Sequence, residues 1–467
     1  MSIIKVPFKF KSEIHNELEK DFMKININGV PIEQNEIEKK LDALYEWICS
    51  TPKTITYRVN LLLTTAEQVI EHLNDVISEQ YESRVPTITT FPHLSEIVTV
   101  HSWDESIKLD LSKHSKEVIV DAACGSAVLR GSHVYAPGIL GIPNGLKVGD
   151  VVSVFADIVG CTKKGLLKPS EVDNENKTFL GNGIIMQTRE NIFCNGGQVR
   201  GVAIYMTDVI SRLPQLNNIS VPDGWALLQN LPSIICTRVL NPQPGETILD
   251  MCSAPGNKST HISSLMKGKG ILIALDRNKS KSEKLKLNCN KFSSGNVKCF
   301  WYNSKKAYNK YADNSNINDG PPFKNDSFDR ILLDSPCSAL GQRPQLLNKI
   351  TAVQLRSYVA LQRKLFSTAV HLLKPNGILV YSTCTITIAE NEGIISWALK
   401  TYPCLKLNSI SDQLDFIRDQ TKTFFSKGYS IDGLTENESE CLLRMGPEQD
   451  SIGFFIACFT KQIMEEV

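Results

Sequence analysis

Residues 247–260 read Thr-Ile-Leu-Asp-Met-Cys-Ser-Ala-Pro-Gly-Asn-Lys-Ser-Thr. The apolar residues predict a strand over Thr247–Cys252, small residues predict a turn, and a helix is predicted to begin at about Thr260. A strand, a small-residue turn and a helix N-terminus form a nucleotide-type pocket at the carboxyl edge of a parallel sheet. Asp276 ends the next predicted strand, 20 residues after Gly256. An acid at that distance is placed to accept hydrogen bonds from ribose hydroxyls.

Three kinds of ligand use such a turn, and the sequence separates them. A dinucleotide site needs the motif Gly-x-Gly-x-x-Gly, and a phosphate loop needs Gly-x-x-x-x-Gly-Lys-Ser/Thr. Both motifs are absent. Lys258-Ser259 matches only the last two positions of the phosphate-loop motif. S-adenosylmethionine carries no phosphate and needs only the turn and the ribose acid. The turn therefore favours S-adenosylmethionine and argues against an NAD-linked oxidoreductase. An ordinary βα turn without any ligand remains the alternative at this point.

Strands and helices alternate on both sides of this stretch, from about residue 207 onward. Four apolar strands are predicted between helical stretches, at Thr247–Cys252, Ile271–Asp276, Arg330–Asp334 and Gly377–Cys384. The alternation is typical of an α/β domain with a parallel sheet and crossover helices. Polar residues 408–450 predict a surface insertion, and Ser451–Thr460 predicts a final strand.

Two other regions precede this domain. Residues 1–112 show an apolar helical period over Asn35–Ile48, an extended stretch, and a second helix over Ala66–Glu79. Residues 113–206 change to short strands separated by glycine and proline turns, which predicts a small β-barrel. We therefore divide the chain into residues 1–112, 113–206 and 207–467.

The composition is that of an ordinary globular protein. The 467 residues include 51 Lys+Arg and 50 Asp+Glu, and no apolar run approaches the ~18 residues needed to span a membrane. The 13 cysteines form no C-x-x-C pair, which disfavours zinc and suits a reducing compartment. We expect a cytoplasmic protein without a metal. The net charge of +1 is compatible with a nucleic-acid partner, because a local basic groove can hide inside a neutral total.

Two predicted strands of one sheet end in a cysteine. Asp334-Ser-Pro-Cys-Ser carries Cys337, and 47 residues later Ser-Thr-Cys-Thr carries Cys384. Parallel strands point the same way, so both thiols should emerge at the edge that holds the small-residue turn. The alternative is that both are buried packing residues, which is the usual state of a lone cysteine. Their joint position at strand ends, with Asp334 close by, favours a chemical role.

Two thiols and a carboxylate suit methyl transfer to carbon 5 of cytosine. That carbon is too weak a nucleophile to attack a methylsulfonium, whereas addition of a thiolate to carbon 6 makes it enamine-like. A carboxyl group that holds ring nitrogen 3 stabilises the developing charge. A second basic group must remove the carbon 5 proton before the thiol leaves. Spacing alone does not decide whether Cys337 or Cys384 is the nucleophile.

The chain resembles the NOL/NOP/Sun-domain RNA cytosine-5 methyltransferases over nearly its whole length. The resemblance is carried by Asp-Met-Cys-Ser-Ala-Pro-Gly at 250–256, Asp-Ser-Pro-Cys-Ser at 334–338 and Ser-Thr-Cys-Thr at 382–385. Residues 124–131 and 133–138 are similar to the PUA RNA-binding domain that is inserted in one member of the family. The resemblance implies a Rossmann-like S-adenosylmethionine methyltransferase domain. It also implies an RRM-like N-terminal subdomain that a PUA β-barrel interrupts.

The resemblance assigns roles by position in these motifs. It implies that Cys384 is the nucleophile, that Cys337 helps to release the product, and that Asp334 lines the cytosine pocket. The implied S-adenosylmethionine site consists of Cys252, Ser253, Ala254, Pro255, Gly256, Asn257, Lys258, Asp276, Asn303 and Asp334.

The resemblance also implies an RNA partner, and the absence of a long apolar run predicts no membrane partner. The implied substrate is tRNA, methylated near its 3′ end, with the PUA domain recognising the CCA tail; mRNA hairpins and the oligomeric state stay open. The candidates for phosphate and stacking contacts are Arg130, Tyr135, Lys163 and Lys164. A solvated surface is the equal alternative for each of the four. Lys305 and Lys306 are predicted to be plain surface.

Five positions depart from the family pattern, namely Ser253, Asn257, Asn303, Ser335 and Ala339, and two of them bear directly on the cofactor. Asn257 stands where the loop usually has glycine, and we expect a positive φ there, which asparagine tolerates better than other side chains. Asn303 stands where an acid usually lies near the adenine, so we expect weaker cofactor binding. The alternative function is an RNA-binding protein with a catalytically weak or inactive methyltransferase domain. Because every catalytic residue is present, we predict an active enzyme.

Overall fold

The computed structural model describes residues 4–27, 29–81, 84–91, 93–194, 200–216, 221–312, 316–414 and 425–463. These residues form three large sheets and one two-stranded ribbon. Within the described ranges, no helix has both the length and the apolar composition needed to cross a membrane.

The first region of the chain combines helices with short strands. In chain order its elements are α1 (Lys11–Phe22), β1 (Asn26–Ile27), β2 (Val30–Pro31), α2 (Gln34–Cys49), β3 (Thr54–Val59), α3 (Ala66–Tyr81), β4 (Ile88–Phe91) and β5 (Leu94–His101). Helices α2 and α3 begin within one residue of their predicted positions. Val69, Leu73 and Ile77 recur at a helical spacing and bury one face of α3 in the core beneath β5.

A six-stranded sheet with its own apolar core follows. Its elements are β6 (Glu117–Val120), α4 (Ala122–Leu129), β7 (Val134–Tyr135), β8 (Ile139–Gly141), β9 (Val151–Asp157), β10 (Lys177–Ile185), α5 (Arg189–Phe193) and β11 (Val202–Val209). The strand order is β7-β11-β10-β9-β6-β8, and only β6 and β9 run parallel. Fully buried residues such as Val118, Val154 and Ile204 form the core.

Strand β12 (Ala226–Leu228) returns the chain to the first region. It pairs antiparallel with β3 and completes a four-stranded sheet in the order β12-β3-β5-β4. Strand β5 precedes the six-stranded sheet in the chain, and β12 follows it. The six-stranded sheet, called the inserted sheet below, therefore interrupts the four-stranded one.

The remainder of the chain forms a nine-stranded sheet between layers of helices. Its elements are α6 (Leu231–Leu240), β13 (Thr247–Asp250), α7 (Asn257–Leu265), β14 (Ile271–Asp276), α8 (Lys279–Lys291), β15 (Val297–Trp301), β16 (Phe328–Asp334), α9 (Ala352–Leu372), β17 (Leu373–Thr383), α10 (Glu392–Thr401), β18 (Leu405–Asn408), α11 (Ile410–Gln413), β19 (Ser426–Lys427), α12 (Glu436–Glu440), β20 (Leu443–Met445) and β21 (Phe454–Lys461). The order is β15-β14-β13-β16-β17-β21-β20-β19, with β18 also on β21. Strands β13 to β17 are mutually parallel, and β21 pairs antiparallel with β17. The predicted α/β domain with a parallel sheet is confirmed.

Both faces of the parallel strands are buried, which explains their continuous apolar runs. Leu249 and Ile331 belong to the core on one face, whereas Ile248 and Leu332 belong to the core on the other. Side chains of successive strand residues point to opposite faces, so an unbroken apolar run covers both. The strand ends, and the side chains that follow them, are thereby held by two packed layers.

Two local predictions in this domain are wrong. Helix α7 begins at Asn257 rather than at about Thr260, because Gly256 adopts a left-handed conformation and already caps the helix. Residues 408–450 are not simply a surface insertion, since β20 within them is buried and pairs with β21. Arg444 is tolerated in that strand because the buried Glu392 carboxylate lies 3.4 Å from its guanidinium. Residues 415–424 of the same segment lie outside the described residues.

Candidate active site

The five parallel strands end at one edge of the nine-stranded sheet, called the carboxyl edge below. Asp334 at the end of β16 is in register with Ser382 of β17, and Asp276 at the end of β14 is in register with Trp301 of β15. Asp250 ends β13, between β14 and β16. Shared direction and register therefore bring these side chains and the turns that follow them to one place.

The turn after β13 is held tightly against the neighbouring strand. The backbone amide and the hydroxyl of Ser253 both donate to Leu275 O, at 3.0 and 2.9 Å, and Gly256 N donates to Ser253 O at 2.8 Å. Gly256 has a φ of +108°, and a Cβ there would lie 2.9 Å from Leu285 Cδ1. Only glycine suits both constraints. The positive φ thus falls on Gly256, and the expectation of a positive φ at Asn257 is wrong because Asn257 is the first residue of α7.

Residues beside this turn have the chemistry that a nucleoside ligand requires. Asp276 is half-buried, and its Oδ1 accepts a hydrogen bond from Asn278 N at 2.8 Å. Tyr302 N donates to Asp276 O at 2.9 Å, which places Asn303 close to the same strand end. Asn303 Oδ1 accepts from Lys305 N at 3.2 Å and so caps a short 3₁₀ turn. The Asp276 carboxylate, the Asn303 carboxamide and the small residues of the turn after β13 therefore have the hydrogen-bonding groups and the space that S-adenosylmethionine needs.

Asp250 lies behind the turn and is only 1% exposed. Its Oδ2 accepts a hydrogen bond from the Ser259 hydroxyl at 2.7 Å. Burial raises the pKa of Asp250 to about 7, although the Ser259 hydrogen bond acts in the opposite direction. Asp250 therefore fastens the start of helix α7 to the end of β13.

The two predicted cysteines meet at the carboxyl edge. Cys337 Sγ and Cys384 Sγ are 3.4 Å apart. The hydrogen bond with Cys384, together with burial, raises the pKa of Cys337, whereas the same hydrogen bond lowers the pKa of Cys384. Gln342 and the Lys258 ammonium also act to lower the pKa of Cys384. Cys384 is therefore the more readily formed thiolate, and Cys337 holds the proton between the two sulfurs.

An ion pair connects the turn after β13 to the cysteine strands. Lys258 Nζ lies 2.7 Å from Asp334 Oδ2, and the Ser382 hydroxyl donates to Asp334 Oδ1 at 2.7 Å. Burial acts to lower the pKa of Lys258, but the Asp334 carboxylate, together with the neighbouring Cys236 and Cys384, raises that pKa. The ammonium also lies 5.3 Å from the centre of the Phe454 ring. Lys258 is thus a fixed positive charge between Asp334 and the thiols.

A buried glutamate near the thiols escaped the sequence analysis. Glu390, 1% exposed, accepts hydrogen bonds from the backbone amide and hydroxyl of Ser338, from Thr387 Oγ1 and from Gln362 Nε2. Burial raises the pKa of Glu390, and these hydrogen bonds oppose the rise. The available signal was Glu390-Asn391-Glu392 directly after the apolar stretch that follows Cys384, because charged residues beside buried apolar ones must find partners there.

The four residues predicted to contact RNA do not lie together in the structure. Arg130 is exposed and lines a cavity of about 690 Å³ together with Asn257 and Arg343 of the nine-stranded domain. The other three candidates do not line that cavity: Tyr135 is half-buried in β7, and Lys163 and Lys164 are exposed between β9 and β10. Among the residues that the structure describes, no group of three or more His, Cys, Asp or Glu side chains could hold a metal ion.

Comparison with known proteins agrees with this fold and site. The family of the 16S rRNA methyltransferase RsmB/F matches residues 237–460. The chain is 40% identical to the human tRNA (cytosine(72)-C(5))-methyltransferase NSUN6, over 97% of each chain. It is 29% identical to the tRNA (cytosine(72)-C(5))-methyltransferase of Pyrococcus horikoshii, over 76% of this chain and 80% of the other. The crystal structure of NSun6 from Pyrococcus horikoshii with SFG superposes with a TM-score of 0.69 at 25% identity, covering 96% and 98% of the two chains.

Together, the fold, the carboxyl edge and these matches define an S-adenosylmethionine-dependent methyltransferase. The chain belongs to the RsmB/F Sun-domain family of RNA cytosine-5 methyltransferases. Its membership rests on a match along nearly the whole chain, which includes the inserted sheet as well as the sheet that carries the thiols.

Proposed function

We propose that this enzyme forms 5-methylcytosine in tRNA, near the 3′ acceptor end, with S-adenosylmethionine as the methyl donor. The relatives that match along nearly the whole chain are named for that reaction. The single observation that carries the proposal is the pair of thiols, 3.4 Å apart at the carboxyl edge, with Asp334 on the adjoining strand. A weak or inactive RNA-binding protein would have no need of that arrangement.

Cys384 is the nucleophile in this proposal. Its thiolate adds to carbon 6 of the cytosine, and the electrons move toward carbon 5. S-adenosylmethionine supplies an electrophilic methyl group for that carbon. Cys337 then assists loss of the carbon 5 proton, after which the bond between carbon 6 and Cys384 breaks. The pKa order of the two thiols supports Cys384 as the attacking group, because the thiol with the lower pKa is the more readily formed thiolate.

Asp334 holds the ring-nitrogen edge of the cytosine. Lys258 and Ser382 each engage one of its oxygens, and the carboxylate retains lone pairs that accept a hydrogen bond from the exocyclic amino group of the cytosine, next to ring nitrogen 3. The same two contacts fix the carboxylate before the substrate arrives, which avoids reorganisation during the reaction. The remaining turn residues, Cys252 to Asn257, with Asp276 and Asn303, hold the cofactor.

The two N-terminal sheets serve RNA binding. We assign the four-stranded sheet to an RRM-like subdomain, supported by its antiparallel order β12-β3-β5-β4 with a helix between β3 and β4. We assign the inserted sheet to a PUA domain that reads the CCA tail through Arg130, Tyr135, Lys163 and Lys164. The predicted division at 113–206 is best extended to Val209, where β11 ends.

The cellular setting follows from the thiol chemistry. The 13 cysteines, all within the described ranges, are thiols rather than disulfides, which suits the reducing cytoplasm in which we place the enzyme. Its principal partner is tRNA. An mRNA hairpin with an accessible cytosine and a CCA-like single strand would present the same chemical groups.

Methylation of tRNA with an altered 3′ end tests the proposal. Purified enzyme and labelled S-adenosylmethionine are incubated with intact tRNA and with the same tRNA lacking its terminal CCA, and bisulfite sequencing locates 5-methylcytosine. We expect one methylated cytosine in the acceptor region and loss of most methylation without CCA. Equal methylation of both RNAs would contradict the role of the inserted sheet. Binding of tRNA and cofactor without methyl transfer would instead support the inactive RNA-binding protein.

A further inference from the structure

A short part of the chain holds a large share of its positive charge. Residues 277–310 contain ten Lys and Arg residues and one acid, Glu283, whereas the whole chain has 51 basic and 50 acidic residues. The rest of the chain therefore carries more acids than bases. The basic residues are Arg277, Lys279, Lys281, Lys284, Lys286, Lys291, Lys298, Lys305, Lys306 and Lys310.

These charges are exposed and largely unneutralised. Nine of the ten are exposed, and Lys291 is the exception, lying 2.6 Å from Asp223. Within the described part of the chain, none of the nine exposed groups forms an ion pair closer than 4.0 Å. Like charges that are crowded without partners repel one another, and this costs the folded state free energy. An anionic ligand that repeats along its length would remove the cost.

Exposed aromatic rings lie among the charges. Trp301 is 59% exposed, and Tyr311, the residue that follows Lys310, is 82% exposed, although both are large enough to be expected in a core. Lys279 Nζ lies 5.6 Å from the centre of the Trp301 ring, and Lys310 Nζ lies 5.0 Å from that of Tyr311. Basic groups interleaved with exposed rings are typical of surfaces that bind RNA.

This basic face begins at the catalytic centre. Arg277 and Lys305 line a cavity of about 560 Å³ together with Ser338, the neighbour of Cys337. From there the face follows α8, whose 13 residues span about 20 Å. The inserted sheet adjoins the centre through a different segment, because Leu346 packs into the core of that sheet. An RNA held at the thiols can therefore contact both surfaces.

We propose that residues 277–310 form a second RNA-binding face, which holds the phosphate backbone of the tRNA body while the inserted sheet holds the 3′ end. The proposal rests on the proposed function and adds a surface to it. RNA fits better than an anionic membrane, because the face is continuous with the edge where RNA must react. A membrane-binding helix also needs a continuous apolar face to insert, and Leu287 is the single exposed apolar residue of α8, because Leu285 and Cys289 are buried in the protein.

Charge removal along α8 tests this face. Lys279, Lys281, Lys284 and Lys286 are changed together to Gln, and a matched control carries Gln at four exposed lysines elsewhere, Lys9, Lys11, Lys39 and Lys269. We expect the α8 variant to bind tRNA about 10- to 100-fold more weakly near 0.1 M salt, and to lower the slope of log Kd against log salt by about 2 to 4. The kcat at saturating tRNA and the Kd for S-adenosylmethionine should stay within about twofold of wild type.

The outcomes separate this inference from the proposed function. A salt slope and a Kd for tRNA equal to those of the control variant would overturn the second face, even if the enzyme methylates tRNA. A wild-type enzyme that binds tRNA but transfers no methyl group would overturn the proposed function, and the salt slopes would still measure the face. Loss of binding to phosphatidylserine vesicles, with unchanged tRNA binding, would identify a membrane surface and overturn the inference. Equal thermal denaturation midpoints for both variants exclude misfolding as the cause.

Discussion

Ser338 and Glu390 are joined by two hydrogen bonds, from the Ser338 amide to Glu390 Oε2 at 3.0 Å and from the Ser338 hydroxyl to Glu390 Oε1 at 2.5 Å. Ser338 follows Cys337, and Glu390 lies in the turn that follows Cys384. The Ser338 hydroxyl also lies 2.7 Å from Thr385 Oγ1. These contacts tie the two thiol-bearing turns together, so that buried hydrogen bonds beside the thiols help to set the separation of the sulfurs.

Glu390→Gln should slow the reaction without preventing cofactor binding. The amide nitrogen of glutamine cannot accept a hydrogen bond, so at least one of the four donors around Glu390 loses its partner, at a cost of about 1–3 kcal/mol. We expect kcat to fall about 10-fold or more, with KM for tRNA nearly unchanged. Single-turnover kinetics would measure the effect, and Glu436→Gln, at an exposed position of helix α12, is the control. A kcat within twofold of wild type would show that Glu390 supports folding alone.

Cys384→Ala and Cys337→Ala should fail at different steps. Without Cys384 nothing adds to carbon 6 of the cytosine, so turnover stops and no covalent complex forms. Without Cys337, addition and methyl transfer proceed, but elimination stalls for want of a group that assists proton removal. We expect an SDS-resistant protein–RNA complex with Cys337→Ala and S-adenosylmethionine. The reverse pattern on a denaturing gel would exchange the two roles, and full activity of both variants would refute the covalent mechanism.

The sequence predicted the parts of the site that lie at strand ends. Apolar runs predicted β13, β14, β16 and β17, and a parallel sheet brings the ends of such strands together without further information. Cys337 and Cys384 could therefore be placed at one edge. The local conformation of the turn was not predictable in the same way, because either Gly256 or the next residue could take the positive φ.

Contacts between distant residues were beyond the sequence. The ion pair of Lys258 with Asp334 joins residues 76 positions apart, and no local pattern marks it. Glu390 was missed because a charged residue is ordinarily a solvent-facing one, and only the folded chain shows four donors converging on it. The basic residues of α8 were countable in the sequence, but their exposure and their approach to the catalytic centre required the structure.

Cys384 should react as a thiolate at a lower pH than an ordinary cysteine. The hydrogen bond from Cys337 and the nearby Lys258 ammonium lower its pKa from the usual value of 9.0, so the thiolate and the activity persist below that pH and are lost as the pH falls through the lowered pKa. Lys258→Met and Cys337→Ala should each move the midpoint upward. Alkylation by iodoacetamide, followed at the Cys384 peptide by mass spectrometry, would measure this, with exposed Cys161 as the internal reference. A midpoint at or above 9 in the wild-type protein would contradict the assignment.

Arg58→Lys should weaken cofactor binding from outside the cofactor site. Arg58 on β3 donates to Gln229 Oε1 at 2.8 Å, to Thr260 Oγ1 at 2.7 Å and to Asn257 O, so its planar fork joins the four-stranded sheet to the first turn of α7. A lysine ammonium cannot reproduce that fork, and the turn beside Gly256 should lose its support. We expect the Kd for S-adenosylmethionine to rise about 10-fold, by calorimetry, while tRNA binding changes little. The control is Arg356→Lys, on the exposed face of α9. If Arg58→Lys lowers the thermal denaturation midpoint but leaves the Kd for S-adenosylmethionine unchanged, the role of Arg58 is limited to stability.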